Sequence, residues 1–192
     1  MEVTKEELDQ VFPVMTLRNL IMFPSVVMPV TVGRQSTLKL VNTALKKKSS
    51  IVITTQKVSE VEAPGFKDLY PVAVIGKVLR IFEMPGGNTT VILQSNGPKV
   101  NLDEITATRP YLQGKVSLIE EDMQVEKSDE MKALMDTCRE LSTKYVEASE
   151  RMSPDTAFAI KNLDEPEILV NFICTNFPFS QEDRYACFAS TI

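Results

Sequence analysis

The chain contains no histidine. Imidazole is the side chain that most often relays a proton near neutral pH, so neither a Ser-His nor a Cys-His nucleophile pair can be assembled. A general base would have to be a carboxylate or a lysine, and no hydrolytic centre is expected on these 192 residues. Cysteine is scarce too: Cys138, Cys174 and Cys187 are odd in number and far apart, which is neither a disulfide framework nor a metal-ligand pattern. They read as reduced thiols, and Cys138, on the apolar face of a predicted helix, reads as a small buried hydrophobe. No run of about 18 apolar residues occurs, so no membrane span is predicted. The acidic start, Met1 to Gln10, is unlike a signal or transit peptide, which makes a cytoplasmic chain the expectation. A Gly-x-x-x-x-Gly-Lys-Ser/Thr phosphate loop is missing, and Gly86-Gly87 lacks the lysine and helix that would complete one.

Positive charge is in deficit, with 21 basic against 26 acidic residues and a net charge of -5. Binders of nucleic acid or anionic membrane carry a basic footprint, so neither partner is expected. The one basic run, Lys46-Lys47-Lys48, falls at a predicted helix C-terminus, where cations complement the dipole. Glu120-Glu121-Asp122 lacks the spaced oxygen ligands and glycine of a calcium loop and reads as a solvated inter-domain segment.

What is present is an ordinary globular composition, 43% hydrophobic and 24% charged, enough for one large domain or two small ones. The apolar run from Val14 to Val30 is broken by Pro24 and Pro29, which rules out a continuous helix and biases Phe23 and Met28 toward extended backbone. The spacing predicts two short strands joined by a bend at Phe23-Pro24-Ser25, with Pro29 at an edge or bulge. Gln35 to Lys48 carries Leu38, Val41, Ala44 and Leu45 at helical spacing. Ile51 to Thr55 is a β-branched strand, and Gln56 to Leu69 is a long loop, functional or mobile. Tyr70 to Phe82 and Thr89 to Leu93 pair as a hairpin around Pro85-Gly86-Gly87-Asn88, and Asn96-Gly97-Pro98 reads as a second turn before strands at Lys99 to Thr108 and Tyr111 to Ile119.

Helical signals take over after Glu120-Glu121-Asp122. From Asp129, Met131, Leu134, Cys138, Leu141 and Tyr145 recur every three or four residues, which predicts a long amphipathic helix packed through that stripe. Ser153-Pro154, Asp164-Glu165-Pro166-Glu167 and Ser180-Gln181-Glu182-Asp183 each read as a helix start. The last helix meets no stop signal before Ile192, so the chain reads as a fragment of something longer. The expected fold is α+β, with a β-rich domain over residues 10–120 and a helical bundle over 121–192, truncated at its C-terminal end.

Several stretches resemble one family. Leu17-Arg18, Phe23-Pro24, Pro29 and Val32-Gly33-Arg34 follow the opening of the N-terminal domain of Lon proteases. Ile51 to Lys57 is similar to its strand ending in Gln-Lys, Asp68-Leu69-Tyr70-Pro71-Val72 to its Asp-Leu-Tyr-x-Val strand, Met84-Pro85-Gly86-Gly87 to its Leu-Pro-Asp-Gly turn, and Asn176-Phe177-Pro178-Phe179-Ser180 to its Asn-apolar-Pro-apolar-Ser junction. Gln94 to Val100 departs from the family's Gly-x-x-Arg-apolar element, so that arginine's role is not carried over. The resemblance implies a PUA-like pseudo-barrel with an attached helical bundle, serving substrate recognition and assembly of a hexameric ATP-dependent protease. Its ATPase and Ser-Lys protease modules, with ATP and magnesium, would lie beyond Ile192, so no cofactor is expected in this segment.

A module that captures unfolded or damaged proteins needs adaptable apolar surface or open sheet edges, because its ligands share no sequence. The candidates are Met22, Phe23 and Met28 near the prolines, Phe66 and Tyr70 beside the long loop, and Phe82 and Met84 at the hairpin. Phe66 and Met84 lie in loop or turn segments where burial is harder. The expected function is recognition without catalysis, in association with other subunits of a homohexamer. A stand-alone adaptor and a structural spacer are the other classes considered.

Overall fold

Alternating and β-branched residues build the first half of the chain. In the computed structural model, which describes residues 10–83, 87–119 and 128–190, the chain divides into two units, Met1–Glu120 and Glu121–Ile192. The first holds β1 (Phe12–Leu17), β2 (Val27–Val32), α1 (Gln35–Lys47), β3 (Ile51–Thr55), a 3-10 turn (Phe66–Asp68), β4 (Val72–Glu83), β5 (Thr89–Ala107) and β6 (Gln113–Leu118). β1 runs parallel to β3, and the pairs β3–β4, β4–β5, β5–β6 and β6–β1 are antiparallel. The pairings therefore return to their starting strand and close a ring of five. β2 is an addition outside it, hydrogen-bonded to the first part of β5.

Inside the ring, Phe12, Val14, Val52, Ala73, Ile75, Val100, Leu102 and Val116 form one apolar cluster. β3 is buried along its whole length, as expected of a short β-branched run with neighbours on both sides. α1 packs on β4 and β1 through Leu40, Val41 and Ala44. Lys48 ends it in the left-handed region, with Lys46 and Lys47 in the last turn, where their charge suits the dipole.

Two sequence expectations need correction here. Asn96-Gly97-Pro98 is no turn, because β5 runs through it as a single 19-residue strand. Val74 pairs with Lys99 while Gly76 pairs with Ser95, so Asn96, Gly97 and Pro98 stand opposite Ile75 alone, as a bulge. A Cβ at Gly97 would sit 2.7 Å from Ile75 Cβ, so only glycine allows that approach. Nor does the stretch before Pro24 form a strand up to the bend. β1 ends at Leu17, and Asn19 and Ser25 take positive φ of 54° and 58° in an irregular loop. Pro85-Gly86 of the expected hairpin turn lies outside the described residues, as do Glu120-Glu121-Asp122 and Thr191-Ile192.

The second unit holds α2 (Asp129–Ala148), α3 (Pro154–Lys161), α4 (Pro166–Asn176) and α5 (Gln181–Ala189). Ser128, Ser153 and Ser180 accept hydrogen bonds from Met131, Asp155 and Asp183 amides as N-caps. Val146, Ala157, Ile160, Leu169 and Phe177 make the shared core. The face that α2 buries is not the predicted one: Ser142, Thr143 and Val146 are buried, whereas Cys138, Leu141 and Tyr145 are exposed. Arg139 explains the rotation. Its Nε and Nη2 donate to the Leu163 carbonyl at 3.2 and 2.7 Å, tying α2 to the end of α3, and small Ser142 and Thr143 admit close packing. Cys138 is accordingly an exposed thiol rather than a core residue.

Candidate recognition cleft

The segment from Arg18 to Val26 brings β2 back past the end of β1. Its irregular backbone is held by side chains. Thr55 Oγ1 donates to the Leu20 carbonyl at 2.6 Å, Ser95 Oγ lies 2.5 Å from the Phe23 carbonyl, and Ser95 Oγ accepts from Val26 N at 3.0 Å. Held this way, Ile21, Met22 and Phe23 turn into the core, with Phe23 0% exposed. Met22 and Phe23 thus offer no surface to a partner, which corrects the expectation placed on them.

β2 then runs with one edge on β5 and the other without a described strand. Ser95 N donates to the Val26 carbonyl at 2.9 Å, so residue 26 faces β5. Because facing alternates along an antiparallel strand, Met28, Val30 and Val32 also turn their backbone groups to β5. Val27, Pro29 and Thr31 turn theirs outward. Pro29 therefore sits where no ladder donor is needed, as its chemistry requires. Among the described residues β1 is similarly open along Met15–Leu17, since β6 pairs only with Phe12 and Pro13.

Between these two edges lies an open cleft of about 510 Å³, lined by Met15–Arg18, Pro29–Val32, Arg34 and Glu62 among others. Arg34, the residue before α1, crosses it. Nη2 donates to the Val61 carbonyl at 2.8 Å and Nη1 to Thr16 Oγ1 at 3.3 Å, while buried Nε has no hydrogen-bond partner among the described residues. Burial, helped by the neighbouring Arg18 charge and opposed by Glu62, lowers the Arg34 pKa from its ordinary value. Arg18 and Glu62 pair at 3.3 Å on the exposed rim. The long loop from Gln56 is anchored here too: Gln56 is buried and its Nε2 donates to the Val58 and Val61 carbonyls at 3.2 and 2.9 Å.

Exposed apolar side chains lie on the outer face that β2 shares with β5 and β4. Opposite partners share a face of the sheet, so the registers Phe82↔Thr90↔Thr31 and Arg80↔Ile92↔Pro29 place Ile92 on the outer face next to β2, and Phe82 on the same face but on β4, with β5 between it and β2. Val27 is 54% exposed and Phe82 43%. Met28, opposite Leu93, points to the other face and is half-buried. Phe66 is exposed on the 3-10 turn, and Tyr70, half-buried, is held by its amide donating to the Thr55 carbonyl at 3.0 Å. Met84 lies outside the described residues. Of the expected residues, Met28 lies on β2 itself but turns its side chain to the other face, and Phe82 lies on the outer face two strands away from the open edge. Val27, Arg34 and the open side of β1 went unassigned in the sequence. The alternation Val27-x-Pro29-x-Thr31 was their one visible signal.

Among the described residues no group of three or more cysteine, aspartate or glutamate side chains is placed to hold a metal ion, and none of the described helices is long and apolar enough to cross a membrane. The arrangement offers backbone donors and acceptors, apolar contact and one excess cation, which suits an extended chain.

Comparison with known proteins agrees with this architecture. The ATP-dependent protease La (LON) substrate-binding domain matches residues 11–190. The chain is 38% identical over 180 residues to the Lon protease of Parabacteroides distasonis, covering 93% of this chain and 22% of that protein. It is 34% identical to the Lon protease of Porphyromonas gingivalis over 181 residues, covering 93% of this chain and 21% of the relative. The chain thus spans about a fifth of the length of these relatives. In fold it is similar to the N-terminal domain of Mycobacterium avium complex Lon protease, with a TM-score of 0.72 at 17% identity over 94% of this chain and 90% of that one. A Lon N-terminal domain protein from Xanthomonas campestris gives 0.63 at 14% identity, covering 95% and 91%. The chain belongs to the Lon substrate-binding domain family.

Proposed function

We propose that this chain is the substrate-recognition part of an ATP-dependent Lon protease, taking unfolded or damaged segments of other proteins into the cleft between β1 and β2. The observation that carries the reading is the outward-turned backbone of Val27, Pro29 and Thr31 at an edge without a described partner, facing the open side of β1 across the cleft. A strand added there gains main-chain hydrogen bonds that any sequence can make. Exposed Val27 adds apolar contact of equally low selectivity. The chain itself carries no catalysis in this reading. ATP, magnesium and peptide hydrolysis belong to other parts of a cytoplasmic homohexamer. The ring of strands is read as a PUA-like pseudo-barrel and the four helices as a bundle, supported by the closed pairings and by the core that α2, α3 and α4 share.

The test is a fluorescence-anisotropy titration with a permanently unfolded protein and with its native counterpart. Tighter binding of the unfolded form is expected. Thr31→Pro, which deletes an outward donor, should weaken it roughly fivefold, the worth of one hydrogen bond, without altering the circular dichroism spectrum. Equal affinity for both forms, or indifference to Thr31→Pro, removes the edge from the account, and absence of binding leaves the domain as a spacer.

A further inference from the structure

α2 carries an apolar seam that its own unit does not cover. Met131, Leu134, Cys138, Leu141, Tyr145 and Ala148 follow one another at spacings of three and four in strict alternation, the a/d pattern of a two-stranded coiled coil. Leu134 is 57% exposed and Leu141 62%, while the adjoining face with Ser142, Thr143 and Val146 is the one packed inward. The seam continues into an apolar groove of about 330 Å³ formed by Leu141, Tyr145, Ile173, Phe177, Pro178 and Phe179, where the Tyr145 and Phe177 rings lie 5.2 Å apart. An exposed apolar strip of this extent marks an interaction surface.

The charges beside the seam say what covers it. One flank carries Glu130, Thr137 and Lys144 at seven-residue steps, all accessible to solvent. The other carries Met135 and Ser142, which face the unit's own core. Parallel pairing would set the charged flank against that uncharged one. Antiparallel pairing of two identical helices sets the charged flank against itself. Glu130 of each copy then meets Lys144 of the other, and Thr137 meets its own counterpart at the two-fold axis. In the same register Leu134 packs on Cys138 of the second copy, and Met131 on Leu141.

We propose that α2 is a homotypic docking surface on which a second copy of this chain pairs antiparallel through the Met131–Tyr145 seam. This inference is independent of the cleft reading, which concerns the other unit. Sedimentation equilibrium of the 192-residue chain, from low micromolar to near-millimolar, is expected to show a monomer–dimer equilibrium. Leu141→Lys should abolish the dimer while leaving the melting temperature unchanged at low micromolar concentration, where both chains are monomeric, because that side chain is exposed. Lys144→Glu should raise the dimer dissociation constant roughly fivefold through two lost rim pairs. Adding Glu130→Lys to it should restore the constant to within about twofold, since the same pairs re-form with signs exchanged. A chain that stays monomeric throughout, or a dimer indifferent to Leu141→Lys, overturns the proposal. A charge swap that fails to rescue overturns the antiparallel register. Binding of the unfolded protein is read separately by anisotropy, so failure of one reading leaves the other standing.

Discussion

Ser95 and Phe23 show how single side chains shape the cleft. The Ser95 hydroxyl reaches the Phe23 and Val26 carbonyls at 2.5 and 3.2 Å and accepts from the Val26 amide, closing the loop over the core. Ser95→Ala is expected to lower stability by about 1–3 kcal/mol in urea denaturation, the cost of removing one partner from buried polar groups. Phe23→Ala empties a fully buried site and should cost about 3–5 kcal/mol. Phe66→Ala, at a side chain that is already exposed, should fall within about 0.5 kcal/mol of the parent.

Cys174 is a different residue-scale case. Burial, then the hydrogen bond with Cys187 and its charge, push the Cys174 thiol from 9.0 up to about 12. The folded state therefore keeps this proton longer than the unfolded chain does. The resulting stabilisation is fully present below pH 9 and is lost as pH rises from about 9 to 12. Alkylation at mildly alkaline pH should accordingly modify Cys138 and Cys187, which are exposed, while Cys174 reacts only on unfolding. Mass spectrometry of the alkylated chain reads this directly.

At the scale of elements, close approach governs where β4 and β5 can pair. A Cβ on Gly76 would lie 2.5 Å from the Gln94 carbonyl oxygen and 2.8 Å from Ile53 Cδ1. The carbonyl belongs to a strand hydrogen-bonded on both sides and cannot yield. Gly76→Ala should therefore destabilise the sheet by about 1–3 kcal/mol or more, as overpacking does. Chemical denaturation followed by circular dichroism checks this. Element identity was largely legible: β3 is a dense β-branched run, the serine caps of α3 and α5 are local chemistry, and Pro29 pointed to an edge or a bulge. The bulge at Asn96-Gly97-Pro98 was misread because turns and bulges use the same residues. What separates them is whether a neighbouring strand continues alongside. The face that α2 buries was misread for a related reason. A helical stripe shows which side is apolar, whereas Arg139 and the small Ser142 and Thr143 fix which side the unit covers.

On the scale of the whole molecule, charge acts without regard to fold. The sequence pI is about 5.0, so solubility is expected to pass through a minimum near that pH, where net charge vanishes and the exposed Leu134, Leu141 and Val27 meet least repulsion. Turbidity measured across an acidic pH series reads this. The lack of a phosphate loop and of a histidine base, the α+β order of elements and the family could all be read from the chain, because each rests on residue identity and local spacing. The site could not. Met22 and Phe23 are contact candidates in sequence and core in the fold, because Ser95 and Thr55, distant in sequence, draw their loop inward. Val27 and Arg34 gain their places only when β2 docks on β5 and leaves one edge open across from β1. Local chemistry determines which elements form, whereas exposure, an open edge and a shared cleft exist only once residues far apart in sequence meet.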